Sequence, residues 1–308
     1  TKLDPPPKER SIFGIVIIVV VVGVFAGIGA LLIERSNRVV DDSHVLLGEP
    51  ITIAWAPTVD PILLEKELVP LQKYLEKTMG RPVPIEITKD YKESSEKLLK
   101  GEVAFALLPP LMYVRTRAQS DEIEPLGMKM YQGAAKSDGL LLVRMADNVQ
   151  NLEGLSGKRF CLTDENSTTG NFLPRAYLRA QGKDPEKFIG EVVWTGDHNQ
   201  ALRDLIDNKS DAAATYSGAL LSASSLEIPV GQIRTLTITG YIPQDAIVAG
   251  PSATKTDKEA MRNALLSLDP KKEWQVEHLG ETQRISGFAA ATDDDFADLK
   301  KLEQESKN

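Results

Sequence analysis

The sequence has little cysteine and histidine and no net positive charge, and each of these features argues against a class of protein. Its 308 residues include one cysteine, Cys161, and three histidines, so no internal disulfide and no metal cluster is expected. The net charge of −8 argues against a nucleic-acid partner, which requires basic patches. The motifs H-E-x-x-H and G-x-S-x-G are absent, and "GLSGKR" lacks the upstream glycine and the Ser/Thr of a phosphate loop. We therefore expect a protein that is not an enzyme and holds no cofactor.

A long apolar run lies near the start of the chain. Residues 12–33, "IFGIVIIVVVVGVFAGIGALLI", carry no charge and would reach about 33 Å as a helix, enough for a hydrocarbon core of about 30 Å. The run is too long for a cleavable signal, and "LLIERSNRVV" offers no A-x-A-like cleavage site. Three basic residues before the run and two after it favour an inside tail by a small margin. We predict a cytoplasmic tail at 1–11, a single transmembrane helix at 12–33 and a linker at 34–49.

Glycines recur on one face of the predicted membrane helix. Gly23 and Gly27 have the G-x-x-x-G spacing that lets a second helix approach closely. One interpretation is packing against another integral membrane protein. The other is that glycine is simply common in membrane helices.

The remaining chain alternates between strand and helix patterns. "ITIAWAP", "PVPIEIT" and "VAFALL" have the character of strands, and helical patterns at 61–80 and in "YKESSEKLLKG" separate them. The alternation restarts near residue 140 and continues to about residue 240. This order is typical of parallel sheets covered by helices, so we predict an α/β protein with two units and a ligand cleft at the carboxyl ends of the strands.

The stretch "DENSTTGNFLPRAYL", residues 164–178, collects hydroxyl groups at a predicted helix start. A helix start presents unpaired backbone N–H groups and a partial positive charge. Ser167, Thr168 and Thr169, followed by Gly170, could add side-chain donors and form an anion cradle that needs no lysine or arginine. The simpler interpretation is that one of these hydroxyls caps an ordinary helix, which would leave the other two unexplained.

Several segments together resemble the phosphate, phosphite and phosphonate substrate-binding proteins that serve ABC importers. They are "YLEKTMGRPVPIEITKDY", "LLKGEVAFALLPPLMYV", "LEGLSGKRFCLTDENSTTGNFLPRAYL", "GDHNQALRDLIDNKSDAAATY" and "ITGYIPQDAIVAG", and the resemblance extends over about residues 51–288. It implies a two-lobed periplasmic-binding-protein fold of type II, with the domain in the periplasm and the helix in the bacterial inner membrane. The lobes would comprise 50–140 plus 241–308 and 141–240.

The resemblance also implies which residues line the pocket. Ser167, Thr168, Thr169 and His198 match the family's motifs, and Tyr113 and Asp245 match less closely. Each of the last three has another interpretation: His198 as a loop residue, Tyr113 as an aromatic packed on its own helix, and Asp245 as a cap after Pro243. As a ligand residue, Asp245 could accept a hydrogen bond from a protonated oxyanion.

Departures from the family pattern leave two functions open. Pro109 and Pro110 stand where the family has Gly-Pro, Thr58 stands where it has an aromatic residue, and Asn199 replaces an acidic one. The first function is a membrane-tethered receptor for a phosphate-like oxyanion that delivers to an ABC permease. The second is a non-catalytic scaffold subunit of a larger membrane complex, for example a respiratory or photosynthetic one, that reuses the binding-protein fold.

Overall fold

Two β-sheets built from strands far apart in sequence organise the protein, seen in a computed structural model that describes residues 48–306. The strands are β1 (Ile53–Trp55), β2 (Ile85–Ile87), β3 (Phe105–Leu108), β4 (Glu124–Tyr131), β5 (Lys136–Arg144), β6 (Arg159–Leu162), β7 (Glu191–Trp194), β8 (Ala212–Tyr216), β9 (Ile233–Pro243), β10 (Ala246–Ala249) and β11 (Ile285–Ala290). The α-helices are α1 (Pro61–Met79), α2 (Tyr91–Leu99), α3 (Pro110–Arg117), α4 (Leu173–Ala180), α5 (Pro185–Phe188), α6 (His198–Ile206), α7 (Ser217–Ser225), α8 (Lys255–Ser267), α9 (Pro270–Trp274) and α10 (Ala297–Glu305). A π-helical turn at Thr168–Phe172 precedes α4.

The first sheet has the order β11-β4-β10-β3-β1-β2. Strands β1, β2 and β3 run parallel, whereas β10 is antiparallel to β3 and β4, and β11 is antiparallel to β4. Apolar residues of α1 and α8 cover one face, and residues of α2, α3 and α10 cover the other. Because helices connect the parallel strands, their carboxyl ends share one edge of the sheet, where α2 and α3 begin.

The second sheet has the order β7-β6-β8-β5-β9 and repeats this plan. Strands β6, β7 and β8 run parallel, and β5 pairs antiparallel with β8 and β9. The β5–β9 pair extends from Lys136↔Pro243 to Arg144↔Ile233. Both faces of this sheet bury apolar clusters of their own.

Two sheets, each with apolar clusters on both faces, make two lobes, which confirms the predicted α/β two-lobed fold. The chain passes between the sheets at 132–135 and at 244–245. The expected boundaries at 140/141 and 240/241 fall inside β5 and β9. The apolar pattern "GLLLVRM" begins at Gly139, whereas β5 begins at Lys136 with a more polar segment.

Local interactions fix both ends of α1. The Asp60 side chain caps α1 by accepting from the N–H groups of Ile62 and Leu63, each at 3.1 Å. Gly80 ends that helix with a φ of 67°, a conformation that glycine adopts readily. The predicted tail, the transmembrane helix with Gly23 and Gly27, and nearly all of the linker lie outside the described residues. Within 48–306 no helix combines the length and the apolar character needed to cross a bilayer.

Candidate functional site

A cavity of about 40 Å³ lies between the two lobes, at the carboxyl ends of the parallel strands. This volume has room for about three water molecules, which is the size range of a small tetrahedral oxyanion. Hydroxyl groups predominate among the side chains around it, and one lysine and one aspartate are the charged groups in this lining. The residues are Thr58, Tyr91, Pro109, Pro110, Lys129, Ser137, Ser167, Thr168, Thr169, His198, Tyr216, Ile242, Gln244 and Asp245.

The hydroxyl turn that the sequence singled out forms one wall of this cavity. Ser167, Thr168 and Thr169 are at most 5% exposed. Ser167 Oγ accepts a hydrogen bond from the Gly170 N–H at 3.0 Å, so it does cap the helical turn. A hydroxyl that accepts this bond still has its own proton to donate. Capping and anion binding are therefore compatible at this residue.

Gly170 is fixed by packing inside the turn. A Cβ at this position would lie 1.9 Å from Thr163 Oγ1 and 2.8 Å from Ser167 Oγ. The Gly170 carbonyl also accepts from the Thr163 N–H at 3.2 Å. The close approach that requires glycine is thus to Thr163, and it brings the hydroxyl turn against the end of β6.

Thr168 connects the two walls of the cleft. Its Oγ1 accepts a hydrogen bond of 3.0 Å from the backbone N–H of Leu111, in the first turn of α3 in the other lobe. Pro109 and Pro110 lack an N–H, so Leu111 is the first residue of this helix that can donate. The Thr168 hydroxyl proton remains free to donate into the cavity.

His198 opens α6 and is 7% exposed. Its Nδ1 lies 3.0 Å from Thr215 Oγ1, and its ring meets the Tyr216 ring edge-on with centroids 4.9 Å apart. Burial, assisted by the charge of Lys129, lowers the pKa of His198 to about 4. The imidazole is therefore neutral at physiological pH, and Nε2 is the ring nitrogen that Thr215 does not occupy.

Two tyrosines that the sequence analysis did not select also line the cavity. Tyr91 is the first residue of α2, and Tyr216 ends β8. Burial, followed by the nearby charge of Asp245, raises the pKa of both phenols, so each stays protonated and can donate. Like α2, the helices α3 and α6 and the hydroxyl turn begin at residues of the cavity lining, where a helix start carries partial positive charge.

Lys129 lines the cavity, although the sequence analysis selected no lysine or arginine for it. It lies in the middle of β4 and is 6% exposed, and its Nζ is 3.8 Å from Asp245 Oδ2. The two residues are also joined through the backbone, because the Lys129 N–H donates to the Asp245 carbonyl at 2.8 Å. The one lysine within "PLGMKMY" marks this position in the sequence, but Pro125 and Gly127 in the same stretch hide its strand character.

Tyr113 does not lie at the cavity, which corrects its place among the predicted ligand residues. Its hydroxyl donates to Asp293 Oδ1, and its ring packs on Phe296 with centroids 4.3 Å apart. Pro110 is the first residue of α3, so Tyr113 falls almost one turn later and faces α10. The alternative interpretation, an aromatic packed on its own helix, does not describe this residue either, because its ring packs on Phe296 of another segment.

Thr58 lies at the rim of the cavity. Its Oγ1 lies 2.8 Å from Gln283 Nε2, in a loop that is itself tied to Glu67 of α1. The side chain is thus held in place at the cleft by two other parts of the first lobe.

Comparison with known proteins gives this cavity its context. The family model described as "ABC transporter, phosphonate, periplasmic substrate-binding protein" matches residues 53–296. The Phosphate-import protein PhnD of Mycolicibacterium smegmatis is 33% identical over 200 residues, which are 61% of this chain. The matched part spans 62% of that relative's length.

Solved structures share the fold. PhnD1 from Prochlorococcus marinus, in complex with methylphosphonate, has a TM-score of 0.72 at 15% identity and covers 84% of this chain and 98% of its own. A binding protein component of an ABC phosphonate transporter from Pseudomonas aeruginosa has a TM-score of 0.71 at 18% identity, with coverages of 84% and 86%. The family match includes both lobes and every residue around the cavity. The chain therefore belongs to the family of periplasmic substrate-binding proteins of phosphonate ABC transporters, and, as the sequence predicted, it is a binding protein and not an enzyme.

Proposed function

We propose that the chain binds a phosphate-like oxyanion (phosphate, phosphite or a simple phosphonate) in the cavity between its lobes. The observation that carries this proposal is the arrangement of Ser167 and Thr168, whose oxygens both accept backbone hydrogen bonds. Their protons are thereby left for a ligand, and each such bond to an anion is stronger than one between neutral groups.

Neutral donors complete the proposed cradle. With Nδ1 of His198 accepting from the Thr215 hydroxyl, Nε2 carries the ring proton and donates to a ligand oxygen. The phenols of Tyr91 and Tyr216 and the hydroxyl of Thr169 lie around the same space. Such preorganised donors bind a compact anion well because they replace its hydration shell without first having to reorient.

Opposite charges set the ligand's protonation state in this proposal. Lys129 supplies one positive charge to the cavity, and Asp245 supplies an acceptor beside it. A ligand oxygen that carries a proton can donate to Asp245, whereas a bare oxygen would be repelled by it. We therefore propose that a hydrogen-bearing oxyanion binds better than sulfate, which has no proton near neutral pH.

The location and the partner belong to the same proposal. The apolar run at 12–33 would tether the binding domain to the outer face of the bacterial inner membrane, and an ABC permease would receive the anion. The family match and the PhnD relative support the transport role. A scaffold role in a larger membrane complex remains the alternative that the binding experiment below separates from it.

Calorimetry on the full chain in mild detergent tests this function. We expect micromolar or tighter binding of phosphate, phosphite or methylphosphonate. Because Ser167→Ala with Thr169→Ala removes two donors to the anion, the affinity should fall by about 100-fold or more. Ser224→Ala, on the exposed side of α7, is the matched control and should bind as the parent does. If none of the three anions gives heat or a thermal shift, the receptor function is wrong and the scaffold role is favoured.

A further inference from the structure

The cavity between the lobes contains an ammonium group that belongs to the protein. Lys129 is 6% exposed, and its strand lies between β10 and β11 in the sheet. Its ion-pair partner within residues 48–306 is Asp245, at 3.8 Å. That separation is longer than a hydrogen bond, so the ammonium retains donors for another oxygen.

The same pair leaves no spare negative charge in the lining. Asp245 is the carboxylate among the residues that surround the cavity, and Lys129 is the cation. A ligand with a cationic arm would need a carboxylate for that arm, because an unpaired buried charge is costly. The lysine already occupies this position beside Asp245.

The space around Lys129 is also small. The cavity measures about 40 Å³, and rigid or bulky groups close it on several sides, among them Pro109, Pro110, Ile242 and Tyr216. About three water-sized groups fit, which accommodates a central atom with its oxygens and at most a short substituent.

We propose that Lys129 is the specificity-determining residue of the cleft, and that it restricts the ligand to a compact oxyanion without a cationic arm. Phosphate, phosphite and methylphosphonate satisfy this condition, whereas 2-aminoethylphosphonate, a zwitterion with an ammonium arm, does not. Lys129 supplies the positive charge that such an arm would bring, and it fills the space the arm would need. The inference rests on the proposed function, since it concerns which oxyanions the same cavity takes.

Two ligands and three variants of the full chain test the proposal by calorimetry. The parent should bind phosphate and should bind 2-aminoethylphosphonate about 100-fold more weakly or not at all. Lys129→Ala removes both the charge and the bulk and leaves Asp245 unpaired. It should weaken phosphate by about 10- to 100-fold and strengthen 2-aminoethylphosphonate, so that the preference shifts in favour of the zwitterion.

Two further variants distinguish the effect of the Lys129 charge from the effect of its side-chain volume. Lys129→Met removes the charge and keeps most of the volume, so it should weaken phosphate without gaining the zwitterion. Lys66→Ala removes an exposed lysine on α1 and should change neither affinity.

The outcomes distinguish this inference from the function beneath it. If the parent binds phosphate and 2-aminoethylphosphonate equally well, the inference is wrong and the oxyanion function stands. If Lys129→Ala weakens both ligands to the same degree, Lys129 acts as a general attractive charge, and the inference is again wrong. If the parent binds no oxyanion, the proposed function itself fails. The comparison of ligands on the parent chain does not depend on any variant folding.

Discussion

The ring of His198 is held between Thr215 and Tyr216, with Nδ1 3.0 Å from Thr215 Oγ1 and an interplanar angle of 84° to the tyrosine. Burial and the neighbouring Lys129 charge keep the ring neutral, which suits a residue that donates one proton to an anion. Neutrality in the folded state has a thermodynamic consequence. The same ring is free to become protonated once the chain unfolds.

We predict that His198 makes the protein less stable in acid. Its pKa is 6.5 when exposed and about 4 when folded, so between these values the unfolded chain binds more protons. The stabilisation is fully present above pH 6.5 and is lost as the pH falls towards 4, and it amounts to about 3 kcal/mol. Urea unfolding of the parent and of His198→Gln at several pH values across this window measures it.

Other groups titrate in both proteins, so the difference between them isolates His198. We expect a shallower pH dependence in His198→Gln than in the parent. His278→Gln is the control, because His278 lies outside the cleft and bonds to Gly280. An unchanged slope in His198→Gln would show that the folded histidine already binds a proton in this range.

Among individual residues, the sequence indicated the hydroxyl turn, His198 and Asp245, and the structure brings all of them to the cavity. Their types carry a physical signal, since several hydroxyls at a helix start and a polar residue opening a helix are recognisable locally. The Tyr113 side chain does not line the cavity, because the direction of that side chain depends on where α3 begins. Lys129 was missed because nothing local indicates which partner a buried lysine will meet.

Secondary-structure elements show the same division between local and distant causes. The strand β4 was not predicted, since Pro125, Gly127 and Lys129 interrupt any β pattern. Its two neighbours, β10 and β11, come from residues 246–249 and 285–290. Pairing with distant strands therefore decides its structure. Because β4 was not predicted, the burial of Lys129 within it was not predicted either. By contrast, α1 was predictable from its Pro61 and Gly80 ends.

One loop connects α1 to the rim of the cleft. The carboxylate of Glu67 accepts from the N–H groups of Glu281, Thr282 and Gln283 at 3.0–3.1 Å, and from Thr282 Oγ1 at 2.6 Å. Successive N–H groups that converge on one anion form a nest. The next side chain in this loop, Gln283, reaches Thr58 at the cavity.

We predict that Glu67→Ala lowers the free energy of unfolding by about 2–3 kcal/mol, because it leaves several converging donors without their acceptor. It should also weaken oxyanion binding, since Thr58 loses its support. Urea unfolding and calorimetry on the same preparation measure the two effects. Glu65→Ala, an exposed neighbour on α1, should change stability by less than about 0.5 kcal/mol. Equal stabilities of the two variants would contradict this role for Glu67.

At the scale of the whole molecule, the proposed anion site lies in a chain with a net charge of −8. For an anion to bind there, local dipoles, hydroxyl protons and Lys129 must outweigh the overall field at the cavity. The order of strands and helices predicted two lobes, but the chain crossings at 132–135 and 244–245 depend on how far β5 and β9 pair. The Leu111–Thr168 hydrogen bond between the lobes likewise had no signal in the sequence, because it joins segments 57 residues apart.

The central claim is that the cavity between the lobes holds a tetrahedral oxyanion. The most direct test is an experimental structure of the chain determined with saturating phosphate. We predict one phosphate in the cavity, within hydrogen-bonding distance of the Ser167 and Thr169 hydroxyls, His198 Nε2 and Lys129 Nζ. A cavity that holds only water under these conditions, or a phosphate bound elsewhere on the protein, would contradict the account.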